Sequence, residues 1–106
     1  IMSNLTTLED IKNMSFETIR PNQYIFNLKD CKMFYSYKSI IAIRYDDGTT
    51  VLDANYWDYS RTTGKYRNQF LGENKRETEK KIKSGQYQLR LLNDKNKWFW
   101  KAGVKK

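Results

Sequence analysis

The chain has 106 residues, 39% of them hydrophobic and 15% aromatic, which is enough for one small core and too little for two. It carries a formal net charge of +8, no histidine and a single cysteine, Cys31. That inventory rules out an internal disulfide, argues against a tetrahedral zinc site, and leaves no Ser-His or Cys-His pair for nucleophilic catalysis.

The charge is unevenly placed. Residues 60–106 hold fourteen Lys or Arg against four Asp or Glu, and residues 1–59 hold six against eight, so the +8 divides into +10 and −2. A one-sided positive field is suited to a polyanion. No apolar run approaches the roughly 18 residues of a membrane span, and the start is polar rather than signal-like, so the expectation is a cytoplasmic protein with no membrane partner. Ile1 ahead of Met2 is set aside, which leaves a single domain expected over residues 2–106: a near-neutral helix and β-rich part to residue 59, then a strongly basic part.

Residues 5–14 fit a short helix, with Thr6 or Thr7 as cap and Leu8, Ile11 and Met14 on one face. Pro21 ends that region. Residues 24–28, 31–37 and 39–45 read as strands from their Ile, Tyr and Phe content, and Asp46, Asp47 and Gly48 predict a tight turn that makes a hairpin with residues 49–53. The period then changes. Tyr59, Tyr66 and Phe70 fall on one helical face, with Thr62 or Thr63 as cap and Gly72 as the stop. Asn74 followed by Glu77 resembles a capping box, opening a helix that runs to about Lys83 before Gly85 ends it. From Gln86 the pattern reverts to strands: Tyr87, Leu89 and Leu91 alternate with polar residues, residues 93–97 form a loop, and residues 98–102 return.

Helix, short turn, helix and hairpin is the element order of a winged helix-turn-helix, whose second helix enters the major groove while the wing lies on the backbone. The expected class is therefore α+β: antiparallel hairpins with two or three helices, the C-terminal half winged helix-turn-helix-like. The second helix offers little beyond Ile82 to anchor it.

Three groups of residues suit phosphate. Arg76, Lys80 and Lys83 recur at i, i+4 and i+7 with Lys75 at the helix start, a cationic stripe that an anion would neutralise. The bland reading is a solvated face compensated by Glu77 to Lys81 and Glu79 to Lys83 pairs. Around residues 60–68, Arg61, Lys65 and Arg67 accompany hydroxyls and free amides at a helix start, a phosphate clamp or simply a capped helix. Lys95, Asn96 and Lys97, with Arg90 on the flanking strand, suit a basic wing, although any hairpin tip is polar. Trp57, Trp98 and Trp100 could stack on unpaired bases but fit a core better at strand spacing. Asp53, Asp58 and Glu73 could in principle gather a metal, and Glu73-Asn74-Lys75 has a nuclease-like spacing, but at a helix start rather than on a strand.

The stretch Tyr35-Ser36-Tyr37 through Ile41-Ala42-Ile43, followed by Tyr59-Ser60-Arg61-Thr62-Thr63-Gly64-Lys65 and Phe70-Leu71, resembles small uncharacterised proteins of bacteriophages and plasmids. In those an S-Y-x-x-x-[IV]-A strand precedes a Y-S-x-T-T-x-K helix start. The resemblance covers the middle third of the chain and implies a mobile-element origin. The resulting expectation is a protein, not an enzyme, that binds double-stranded DNA without a cofactor, as an accessory factor at a plasmid transfer or replication origin, in conjugation, or as a transcription factor. A twofold homodimer and other proteins of a DNA-processing complex are the protein partners compatible with that role. The alternative is an inhibitor that sets its basic face on an acidic surface of a host or defence protein.

Overall fold

Turn chemistry divides the first half of the chain into five short strands. The structure, a computed structural model, describes residues 15–93, so the helix expected over residues 5–14 and the returning strand over residues 98–102 lie outside the described residues. β1 (Ser15–Arg20) and β2 (Gln23–Asn27) are joined by Pro21 and Asn22. Proline presets the first turn position and Asn22, at φ 71°, takes the left-handed second one. β3 (Cys31–Ser36) and β4 (Ser39–Tyr45) meet at Tyr37 and Lys38, both with positive φ, as a two-residue hairpin turn of the I′ kind requires. β5 (Thr50–Asp53) follows the expected Asp46-Asp47-Gly48 loop, in which Gly48 has φ 93° and donates to Tyr45 O at 2.9 Å.

Two helices come next, α1 (Arg61–Leu71) and α2 (Lys75–Ser84), and then β6 (Tyr87–Arg90). All six strands form one sheet in chain order, antiparallel throughout except that β6 lies parallel to β5, with Thr50 opposite Tyr87 and Leu52 opposite Leu89. The helix pair is therefore the crossover that parallel pairing demands. Over the described residues the fold is α+β, a mixed six-stranded sheet with two helices.

The basic half is thus not built as a separate module: the strand after the helices completes the sheet begun by the neutral half. Its alternation also differs from expectation. Tyr87 is buried, but Leu89 and Leu91 are exposed, and Leu92 enters the core instead. Asn93, expected in a loop, accepts from Ile40 N at 2.8 Å and donates to Ile40 O at 2.9 Å through its side chain. β1 went unanticipated because it is almost wholly exposed, an edge strand with no apolar run.

Alternation gives the sheet two apolar faces. On one, Phe34, Ile41, Ala42 and Leu52 pack with Tyr66, Leu71 and Tyr87, and Phe34 stacks on Phe70 at 5.8 Å. Ile41 and Ala42 share that cluster because the register against β3 skips Ile41, a bulge. Truncating Leu52, which is fully buried, to Ala would cost about 2–5 kcal/mol. On the other face Ile40, Ile43, Val51 and Leu92 cluster with Met33, Tyr35 and Cys31, whose thiol burial and then Asp30 and Asp46 push up to about 11. The Cys31 thiol stays protonated at neutral pH. Among the described residues no helix is long and apolar enough to cross a membrane.

Candidate nucleic-acid interface

Ser60, rather than Thr62 or Thr63, caps α1: its Oγ accepts from Thr63 N at 3.1 Å. Thr63 is instead fully buried, with its hydroxyl 2.9 Å from that of Ser36 on the sheet. The α2 capping box forms as expected, Glu77 N donating to Asn74 Oδ1 and Asn74 N to Glu77 Oε1, each at 2.9 Å. Gly72 at φ 74° ends the first helix and allows the sharp turn into the second.

The anchor of α2 is polar. Glu73, in the turn between the helices, has a side chain 5% exposed and accepts from Thr78 Oγ1 at 2.6 Å, Lys81 Nζ at 2.7 Å and Tyr87 Oη at 2.8 Å. Arg44 on β4 donates to Tyr87 Oη at 2.8 Å, to Leu71 O at 3.2 Å and to Thr50 Oγ1 at 2.9 Å. Burial pushes the Glu73 carboxyl up, but the hydrogen bonds from Lys81, Thr78 and Tyr87 outweigh it and hold the group below the usual carboxylate range. Together with Ile82 and the fully buried Thr78 they fix the helix against the sheet. Sequence reasoning missed this cluster, although an arginine inside the apolar run Ile40-Ile41-Ala42-Ile43-Arg44 was a signal that a buried partner exists.

With Thr78 and Ile82 facing inward, a helical period of 3.6 directs Arg76, Lys80 and Lys83 to the opposite, outer side of α2. All three are exposed and make no ion pair with any described residue. The compensating pairs expected for them do not form: Lys81 is taken by Glu73, Glu77 is used in the capping box, and Glu79 is not ion-paired to Lys83 among the described residues. On α1 the same geometry puts Arg61 and Lys65 outside, Lys65 lying 5.4 Å over the Tyr66 ring.

Arg67 is a correction. It was expected on phosphate, but it falls on the inward face of α1 and is 1% exposed. Its Nη1 donates to Asp58 Oδ1 at 3.0 Å and Trp57 O at 2.9 Å, its Nη2 to Asn68 Oδ1 at 2.8 Å, and its guanidinium lies 5.1 Å over the half-buried Trp57 ring. A cation so enclosed supplies charge from below without reaching a ligand. Lys75 reaches the other oxygen of Asp58 at 2.7 Å while half exposed. Burial raises the Asp58 carboxyl and the hydrogen bonds from Lys75 and Arg67 more than reverse that, leaving it below its ordinary range. Asp58, Ser60, Arg61, Gly64, Lys65, Arg67, Asn68 and Lys75 line an open recess of about 590 Å³ between the two helix starts.

Arg90 is not gathered with these groups. Alternation places it beside Gln88 on the sheet face away from the helices, and it donates to Gln88 Oε1 at 2.7 and 3.0 Å. Lys95, Asn96 and Lys97 lie outside the described residues. The three carboxylates weighed as metal ligands are separately engaged: Asp53 accepts from the Asn55, Tyr56 and Leu92 amides, Asp58 from Arg67 and Lys75, and Glu73 from the groups above. No three side chains able to hold a metal come together among the described residues.

The sequence model of a family of unknown function (DUF8033) matches residues 6–86, which take in β1 to β5 and both helices. No curated protein and no solved structure matches the chain. Since 81 of the 106 residues are matched, the chain belongs to the DUF8033 family.

Proposed function

We propose that this protein binds double-stranded DNA through the outer surface of its two helices and performs no chemistry on it. The observation that carries the reading is the set of exposed cations on that surface: Arg61 and Lys65 on α1, and Lys75, Arg76, Lys80 and Lys83 on α2, of which only Lys75 is ion-paired among the described residues. Phosphates spaced along a duplex neutralise such an array and release its counterions. In the winged-helix reading α2 meets the groove and Lys95, Asn96 and Lys97 follow as the wing. The strand and helix-start pattern shared with small phage and plasmid proteins supports a setting at a transfer or replication origin, or in transcription.

Titration of fluorescent duplex at several salt concentrations tests the proposal. Contact with five phosphates gives a slope of log affinity against log salt of about −4 to −5. No binding at about 50 mM salt, or binding indifferent to salt, sinks it, and the basic surface then fits an acidic protein partner better.

A further inference from the structure

The recess between the helix starts is lined by four cations, Arg61, Lys65, Arg67 and Lys75, against one carboxylate, Asp58. Both Asp58 oxygens are taken, one by Arg67 and the other by Lys75. Arg67 is buried beneath Gly64, where an added Cβ would lie 3.6 Å from Nη1 and Nη2, and its Nε has no partner. A side chain at Gly64 would fit but would cover the floor of the recess; glycine keeps the recess close above the buried positive charge. The first turn of α1 holds no acidic residue, and the Arg61 and Thr62 amides lack acceptors among the described residues. Helix dipole, free amides, exposed cations and a buried guanidinium all favour an anion at one place.

We propose that this recess seats a single phosphate group, bound by Arg61, Lys65, Lys75 and the first amides of α1, and that the phosphate takes Lys75 from Asp58. In the free protein Asp58 does for Lys75 what a phosphate oxygen does in the complex, so it sets the affinity. A tetrahedral phosphate suits the site better than a planar carboxylate because the donors converge from two helix starts rather than in one plane. The subsite deepens the DNA-binding reading but depends on it only for the source of the phosphate, a backbone phosphodiester or a terminal or free phosphomonoester.

The test is a titration of the full chain with inorganic phosphate against chloride at equal ionic strength, followed by backbone amide NMR, and then with duplexes of one sequence carrying 5′-phosphate or 5′-hydroxyl ends. Saturable shifts are expected at Arg61, Thr62 and Gly64. Lys65→Ala weakens phosphate binding roughly tenfold. Gly64→Glu abolishes it, Asp58→Asn strengthens it, and Lys32→Ala, an exposed lysine of β3, leaves it unchanged. Thermal unfolding of each variant confirms the fold, and Lys65→Ala, on the exposed side of α1, is the variant least able to disturb it. Shifts that are absent, or that run along Arg76, Lys80 and Lys83 instead, overturn the subsite. Duplex binding untouched by Lys65→Ala and Gly64→Glu overturns it while leaving DNA binding intact. Phosphate binding at the recess with no duplex binding keeps the subsite and sinks the DNA reading. Preference for the 5′-phosphorylated duplex supports the subsite with strand ends as its source, and equal, recess-dependent binding supports it with the backbone.

Discussion

Tyr87 donates its phenolic hydrogen to Glu73 at 2.8 Å, tying the sixth strand to the turn between the two helices. Because Arg44 of β4 donates to the same phenol, one chain of hydrogen bonds runs from the middle of the sheet to the start of α2. That chain holds in place a helix whose only apolar anchor is Ile82.

Tyr87→Phe keeps the ring and deletes the link. It leaves Arg44 Nη2 without its partner and Glu73 Oε1 with Lys81 alone, and hydrogen bonds to charged groups are worth about 1.5–3 kcal/mol. A loss of that size is expected in urea denaturation with an unchanged slope. A loss near zero would mean that the helix is held by something else.

Arg67 and Lys75 share Asp58 yet should matter unequally to stability. Arg67→Ala breaks a pair whose cation is 1% exposed, so a cost of about 3 kcal/mol or more is expected. Lys75→Ala removes a half-exposed partner and should cost under about 1 kcal/mol, while weakening DNA binding. Equal losses of stability would contradict this division of roles.

Asp58 and Glu73 place the acid limit of the fold. In each, burial pushes the carboxyl up and the hydrogen bonds it accepts outweigh that, so both lie below their ordinary range. A carboxyl whose folded value lies below its unfolded value of about 4 binds fewer protons in the folded state between the two, so stability rises with pH there. The contribution is complete above the unfolded value and disappears as pH falls through the folded one. Urea midpoints should be flat between about pH 6 and 8 and drop below about pH 4, less steeply in Glu73→Gln. An identical acid limb in that variant would assign the effect to other carboxylates.

Lys38 occupies the second turn position between β3 and β4 at φ 72°, where a side chain is strained. Lys38→Gly should stabilise the protein by about 1 kcal/mol, seen as a higher thermal midpoint. Lys38→Val should lower it, since β-branching makes positive φ costlier.

Strands β2 to β5, the Asp-Asp-Gly hairpin, the Asn74 capping box and both helix-ending glycines were legible in the chain because each signal acts within three or four residues: a left-handed glycine, a side chain reaching a nearby amide, an alternation of period two. The same locality made the outward stripe of Arg76, Lys80 and Lys83 readable. Tertiary structure decided the rest. That the strand after α2 pairs with β5 depends on Thr50 meeting Tyr87 across 37 positions, which no local pattern encodes. Whether Arg67 serves a ligand or the core depends on which side of α1 faces the sheet, and packing chose the side carrying Thr63, Tyr66 and Leu71. A charge has the same sign in the sequence wherever it lies; burial beside Asp58 or exposure at the recess decides what that charge does.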